Sequence, residues 1–282
     1  MQSQGIKSAI RTVVPRDVRN WMRSPAKALT WLWQSALFRC GFTKSLLISD
    51  GQSLLLHPLA YRAAQIAQVR DPEQAAEFHQ FLSYCHSGMF LLDVGASFGI
   101  FSLACARLGG NAIAIDPSRI ATNMIAKQLR LNDLQDRVKV LGVAVGDKDG
   151  TIEMLNAGIY SDGYYYESVR DRRELTIVPV TTLDHLAAHF GWPSHLKIDV
   201  EGYEAAVIRG ARELLTQSSP LVFLELHNEM VLASGGDPAY CVNELLRLGY
   251  NLFSAHGAPL SAEQALKPPI CRVLARTAVS SS

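Results

Sequence analysis

The densest chemistry in the sequence is Lys197-Ile198-Asp199-Val200-Glu201, where charged and aliphatic side chains alternate. As the end of a β-strand, whose side chains point to opposite faces in turn, the run sets Lys197, Asp199 and Glu201 on one side and Ile198 and Val200 on the other. A second polar stretch, Glu225-Leu226-His227-Asn228-Glu229, closes the apolar run that begins at Leu221. Charges beside a buried sheet are costly unless they are paired or used. Carboxylates and an imidazole can take the proton of a hydroxyl as its oxygen attacks, so Asp199, Glu201 and His227 are the candidate catalytic residues. Asp199, Glu225 and Asn228 also offer an oxygen-rich set suited to Mg²⁺, a route ranked below a metal-free one. A purely structural reading has Lys197 paired with Asp199 or Glu201, Glu201 capping the next helix and His227 partly exposed at a strand end.

The other local signal is Leu92-Asp93-Val94-Gly95-Ala96-Ser97-Phe98-Gly99, placed directly after an apolar strand and before a helix. Glycines there let the chain turn sharply and let a ligand lie against the backbone. The spacing is G-x-x-x-G and not the G-x-G-x-x-G of dinucleotide sites, and a carboxylate at Asp93 gains nothing beside a pyrophosphate. It suits a ligand with an ammonium and a sulfonium, as in S-adenosylmethionine. Asp116 ends the next apolar run, near the interval of roughly 20 residues at which an acidic side chain accepts ribose hydroxyls, and Pro117 opens the following helix.

Asp93-Val-Gly-Ala-Ser-Phe-Gly99, Val143-Ala-Val-Gly-Asp-Lys-Asp-Gly150, Val180-Thr-Thr-Leu-Asp184, Gly210-Ala211 and above all Lys197-Ile-Asp-Val-Glu-Gly-Tyr-Glu204 resemble the FkbM-type methyltransferases over about residues 88–275. The resemblance implies a Rossmann-like class I methyltransferase that uses S-adenosylmethionine and O-methylates a sugar, glycolipid or polyketide-like alcohol. It also implies that Asp93, Gly95 and Gly99 line the cofactor, that Asp116 holds the ribose and that Ala144 lies near the adenine.

These residues need a scaffold, and the chain supplies one: short apolar runs alternate with helical stretches from residue 90 onward. Strands are expected at Phe90–Val94, Ala112–Ile115, Val138–Leu141, Leu196–Val200 and Leu221–Leu226, with helices at 99–108, 118–131, 203–215 and 239–248. Thr151–Leu155 and Thr176–Val180 read as extra strands around a tyrosine-rich loop at Tyr160–Glu167, a candidate lid. Asn251–Ser254 and Ile270–Ala275 would close one edge as an antiparallel hairpin. The fold class is α/β, a doubly wound, mostly parallel sheet with an N-terminal extension. That extension, residues 1–87, holds a basic helical segment, a hairpin at Ser45–Leu56 around Asp50-Gly51, and a helix opened by Asp71-Pro72. The methyltransferase domain would then span 88–276 and a tail 277–282.

The net charge of +1 conceals an asymmetry: residues 1–50 hold eight Lys and Arg against Asp17 and Asp50, while the rest of the chain is acidic. With Trp21, Trp31 and Trp33, that segment suits peripheral contact between residues 1–40 and an anionic membrane, or docking on the protein's own core. Overall charge argues against a nucleic-acid partner. Five cysteines without a CxxC pair read as reduced core thiols of a cytoplasmic protein, and the apolar stretch Ala28–Phe38 is too short to span a bilayer. Two rival classes remain open: a nicotinamide-dependent oxidoreductase, and a non-catalytic cofactor-binding protein.

Overall fold

A computed structural model of the chain describes Trp33 and residues 36–38, 40–155 and 175–278. The expected basic segment before Trp33, the tyrosine-rich Tyr160–Glu167 and the last four residues lie outside the described residues. In chain order the strands are β1 (Lys44–Ser49), β2 (Gln52–Leu56), β3 (Phe90–Val94), β4 (Asn111–Ile115), β5 (Val138–Leu141), β6 (Ala144–Val145), β7 (Gly150–Leu155), β8 (Leu175–Thr181), β9 (His195–Ile198), β10 (Leu221–His227), β11 (Asn251–Ser254) and β12 (Ile270–Arg276). The helices are α1 (Pro58–Arg70), α2 (Pro72–Tyr84), α3 (Ile100–Arg107), α4 (Arg119–Leu131), α5 (Leu183–Phe190), α6 (Glu204–Arg209), α7 (Arg212–Gln217), α8 (Asn228–Ala233), α9 (Pro238–Arg247) and α10 (Ala262–Leu266).

Seven strands form the main sheet in the order β11-β12-β10-β9-β3-β4-β5, with β12 antiparallel to both neighbours and the other pairs parallel. The central strands FLLDV, NAIAI, HLKI and LVFLELH are apolar along most of their length because both faces are covered. Chain order reverses between β3 and β9, so a ligand crevice opens beyond their carboxyl ends. The extra strands β7 and β8 form a separate three-stranded sheet with β6, in which β8 lies between the other two.

Strand parity divides the core. Leu92, Val94, Leu196, Ile198, Leu224 and Leu226 meet α5, α6, α7 and α9 on one face. Leu91, Phe223 and Leu274 meet the β1–β2 hairpin and α1 to α4 on the other, with Phe81 of α2 fully buried among them. Burial of a side chain of this size stabilises by about 1.5–3 kcal/mol. The hairpin is tied to the end of α4, where Asn132 Oδ1 accepts the Leu55 N–H and Asn132 Nδ2 donates to the Leu55 carbonyl, both at 2.8 Å.

Two expectations need correction. The single helix over 203–215 is two helices, α6 and α7, broken at Gly210 where a Cβ would lie 2.0 Å from the Gly146 carbonyl oxygen. Of the five cysteines, Cys105 and Cys241 are buried, Cys85 and Cys271 half-buried, and Cys40 is exposed and so not a core thiol. No helix among the described residues is long and apolar enough to cross a membrane.

Candidate active site

The turn after β3 folds around its glycines. Gly95 has φ +80°, and a Cβ there would lie 1.7 Å from the Asp199 carbonyl oxygen, so the loop and the end of β9 touch through bare backbone. Gly99 has φ +73° and a Cβ would press on Ile125 of α4 at 2.9 Å. Asp93 is buried on the α3 side, where its Oδ2 accepts from the Ser102 hydroxyl at 2.6 Å and the Ser102 N–H at 3.1 Å. Asp116, at the end of β4, bridges the turn: it accepts from Ser97 N–H at 2.9 Å and Ser118 N–H at 2.8 Å. Burial pushes both carboxyls up to about 6. Ala144 is buried in β6 with Met154, Val178 and Val180 of the small sheet.

Several of the quoted motifs prove to be joints of the scaffold. Thr182 caps α5, and Asp184 accepts from the N–H groups of Glu213 and Leu214 at 3.2 and 2.8 Å, closing the open end of α7. Loss of such a cap costs about 1 kcal/mol. Asp184→Ala should therefore lower the unfolding free energy by that modest amount, read as a lower urea midpoint, and a midpoint equal to the parent's would show that the cap contributes nothing.

The ends of β9 and β10 carry the concentrated charge. Lys197 follows the parity of Phe223 and points to the α2 face, with its Nζ 3.4 Å from Glu77 Oε1 and 3.8 Å from both Asp199 Oδ2 and Glu225 Oε2. Its ammonium also lies 5.3 Å from the centre of the Phe101 ring. Glu225 pairs in register with Arg272 of β12, whose Nη2 donates to Glu225 Oε1 at 2.8 Å, while Arg272 Nε lies 3.7 Å from Glu77 Oε2. Burial opposes charge on Lys197, but three facing carboxylates outweigh it and hold the amine above its ordinary range. Glu225 is pushed up to about 8, by burial first and the Asp199 charge next.

His227 is buried and not partly exposed, because Glu204 reaches its Nδ1 at 2.7 Å. Its Nε2 lies 3.7 Å from Glu225 Oε1 and 3.9 Å from Glu201 Oε2. Burial favours the neutral ring, yet the Glu204 hydrogen bond and the charges of Asp199, Glu204 and Glu201 prevail and push it up to about 9. A ring that holds its proton at neutral pH is a poor base.

The expected alternation ends early. β9 stops at Ile198 and Glu201 takes φ +55°, so Glu201 leaves the strand pattern and turns to His227. It does not cap α6, whose N-cap is Tyr203. Of the Mg²⁺ set of Asp199, Glu225 and Asn228, Glu225 is held by Arg272 and Asn228 Nδ2 donates to the carbonyls of Ala265 and Pro268 at 2.9 and 2.7 Å. Asp199, Glu201 and His227 do come together.

Sequence reasoning missed Glu77 and Arg272. Glu77 stands four residues before Phe81 on the apolar stripe of its helix, and Arg272 shares the parity of buried Leu274. A charge on an apolar face was the available signal.

A family model described as the Methyltransferase FkbM domain matches residues 93–252. The chain is 26% identical to Methyltransferase sdnD of Sordaria araneosa over 172 residues, 47% of this chain and 66% of that protein, just under two thirds of the relative's length. Among solved structures it is similar to Methyltransferase FkbM from Methylobacillus flagellatus KT, at 15% identity and TM-score 0.44, covering 77% of this chain and 58% of that one. Cofactor-bound Rv0187 from MTB gives 14% identity and TM-score 0.42, covering 78% of this chain and 86% of that one.

Proposed function

Because the chain belongs to the FkbM methyltransferase family, we propose that it transfers the methyl group of S-adenosylmethionine to a hydroxyl oxygen of a small molecule, a sugar, glycolipid or other secondary-metabolite-like alcohol. The observation that carries this reading is the contact between the Gly95 turn and the backbone of Asp199, which joins the loop after β3 to the charged end of β9 across the switch point of the sheet. Cofactor bound along Asp93, Gly95, Gly99 and Asp116 then presents its methyl group to Asp199 and Glu201. Ala144 stands on the adenine side in this assignment. Methyl transfer is an in-line displacement that needs the alcohol oriented and its proton accepted. Asp199 is the proposed base, with Glu201 second. His227, held as a cation, orients the carboxylates.

Asp116 supports the ribose role because a carboxylate has about four acceptor positions and, among the described residues, Ser97 and Ser118 take two of them. Asp116→Ala should weaken S-adenosylmethionine binding by about 1.5–3 kcal/mol, the worth of hydrogen bonds to a charged group. Titration calorimetry on the folded variant checks this, and unchanged affinity removes Asp116 from the assignment.

Thermal unfolding with S-adenosylmethionine, S-adenosylhomocysteine or NAD tests the function itself. A ligand at 100 times its Kd stabilises by about 2.7 kcal/mol. Stabilisation by NAD alone would replace this reading with an oxidoreductase. Label transfer from methyl-labelled cofactor to a panel of sugars, glycolipids and hydroxylated polyketides then identifies the acceptor.

A further inference from the structure

We propose that Asp199, Glu201 and His227 form a binding site for a divalent transition-metal ion, with Glu204 orienting the histidine. One ligand atom from each of the three residues falls within 4.8 Å of the other two. The 3.9 Å between Glu201 Oε2 and His227 Nε2 is too long for a hydrogen bond. It matches two donors sharing one ion at about 2.1 Å from each across a wide angle.

The histidine is the decisive member. Its Nδ1 is taken by Glu204, a carboxylate with no exposure, at 2.7 Å. A carboxylate on the far nitrogen is the arrangement that fixes a metal-binding imidazole in one tautomer and aims its other nitrogen at the ion. His227 itself is 2% exposed, and its Nε2 faces carboxylate oxygens of Glu225 and Glu201 at 3.7 and 3.9 Å.

Charge points the same way. Among the described residues, Glu77, Asp199, Glu204 and Glu225 stand around two permanent cations, Lys197 and Arg272. A sulfonium could answer a carboxylate, but a metal ion also binds the imidazole nitrogen, displacing the proton that His227 otherwise holds. One imidazole with two carboxylates favours Mn²⁺, Fe²⁺, Co²⁺ or Zn²⁺ over the all-oxygen cages of Ca²⁺ and the water-rich sites of Mg²⁺. Asp199 and Glu201 are 29% and 33% exposed at their side chains, so the ion keeps open positions toward solvent for an oxygen of a second molecule.

The ion's part in methyl transfer rests on the function proposed above; its binding does not. Full-length protein stripped with a chelator is titrated with Mn²⁺, followed by calorimetry and by the loss of the free-ion paramagnetic resonance signal. One Mn²⁺ per chain is expected, displaced by Zn²⁺. Glu204→Gln should weaken binding roughly 10–100-fold while the circular dichroism is kept, and Asp199→Ala by roughly tenfold or more. No binding by the stripped parent protein, or equal affinity in Asp199→Ala, overturns the site. Should Glu204→Gln fail to fold, Asp199→Ala decides, since its side chain is partly exposed. S-adenosylmethionine binding without Mn²⁺ binding sinks the metal site alone, and Mn²⁺ binding without S-adenosylmethionine binding sinks the methyl-transfer reading alone.

Discussion

Glu77→Ala is expected to destabilise the protein by about 3–5 kcal/mol, a large part of the roughly 5–15 kcal/mol that holds a domain folded. The reason is the charge it leaves behind. Glu77 is the nearest partner of the buried Lys197 ammonium, at 3.4 Å, and the other two carboxylates stand at 3.8 Å. Neither cation can turn to water, because the side chains of Lys197 and Arg272 are only 3% and 9% exposed. Removing one member of a buried ionic set costs more than the set contributes as a whole, since the survivor stays desolvated. Urea unfolding followed by circular dichroism measures the cost, and a loss below about 1 kcal/mol would mean that water or Asp199 replaces Glu77 freely. A double-variant cycle of Glu77→Leu with Lys197→Met should show the coupling directly, the pair being less damaged than the two single losses added together.

Glu77 also shows where reading the sequence stops short. The strands of the main sheet were legible because two-sided burial leaves nearly unbroken apolar runs, and Phe90–Val94 and Val138–Leu141 match residue for residue. The hairpin followed from Asp50-Gly51, and the start of α2 from Asp71-Pro72, whose carboxylate does cap Glu73 and Gln74. The cluster of Asp199, Glu201 and His227 was legible from strand-end position alone, since parallel strands bring their carboxyl ends together. What could not be read is which distant element covers that end. Glu77 and Arg272 lie outside the matched family domain, and only tertiary packing sets α2 and β12 over Lys197. The positive φ of Glu201, which takes its carboxylate out of the alternation and across to His227, is likewise a product of the Gly202 turn packing on Met230.

Asp199→Asn is expected to lower kcat by roughly 10²–10⁴-fold, the usual worth of a general base, while leaving S-adenosylmethionine affinity unchanged. The substitution keeps the shape of the side chain and the backbone carbonyl that meets Gly95, so the cofactor loop has no cause to move. What changes is the ability to take a proton. His227 cannot replace it at neutral pH, because Glu204, Asp199 and Glu201 keep its ring protonated up to about 9. Glu201 is the remaining candidate, tied to His227 at 3.9 Å. The measurement is turnover on whichever alcohol of the panel accepts label, beside cofactor affinity by calorimetry. Turnover near the parent's moves the base to Glu201, and Glu201→Gln becomes the decisive variant. Mn²⁺ affinity measured on the same Asp199→Asn protein separates the two roles open to this carboxylate. Lost turnover with Mn²⁺ still bound assigns Asp199 to proton transfer, whereas joint loss of both assigns it to holding the ion.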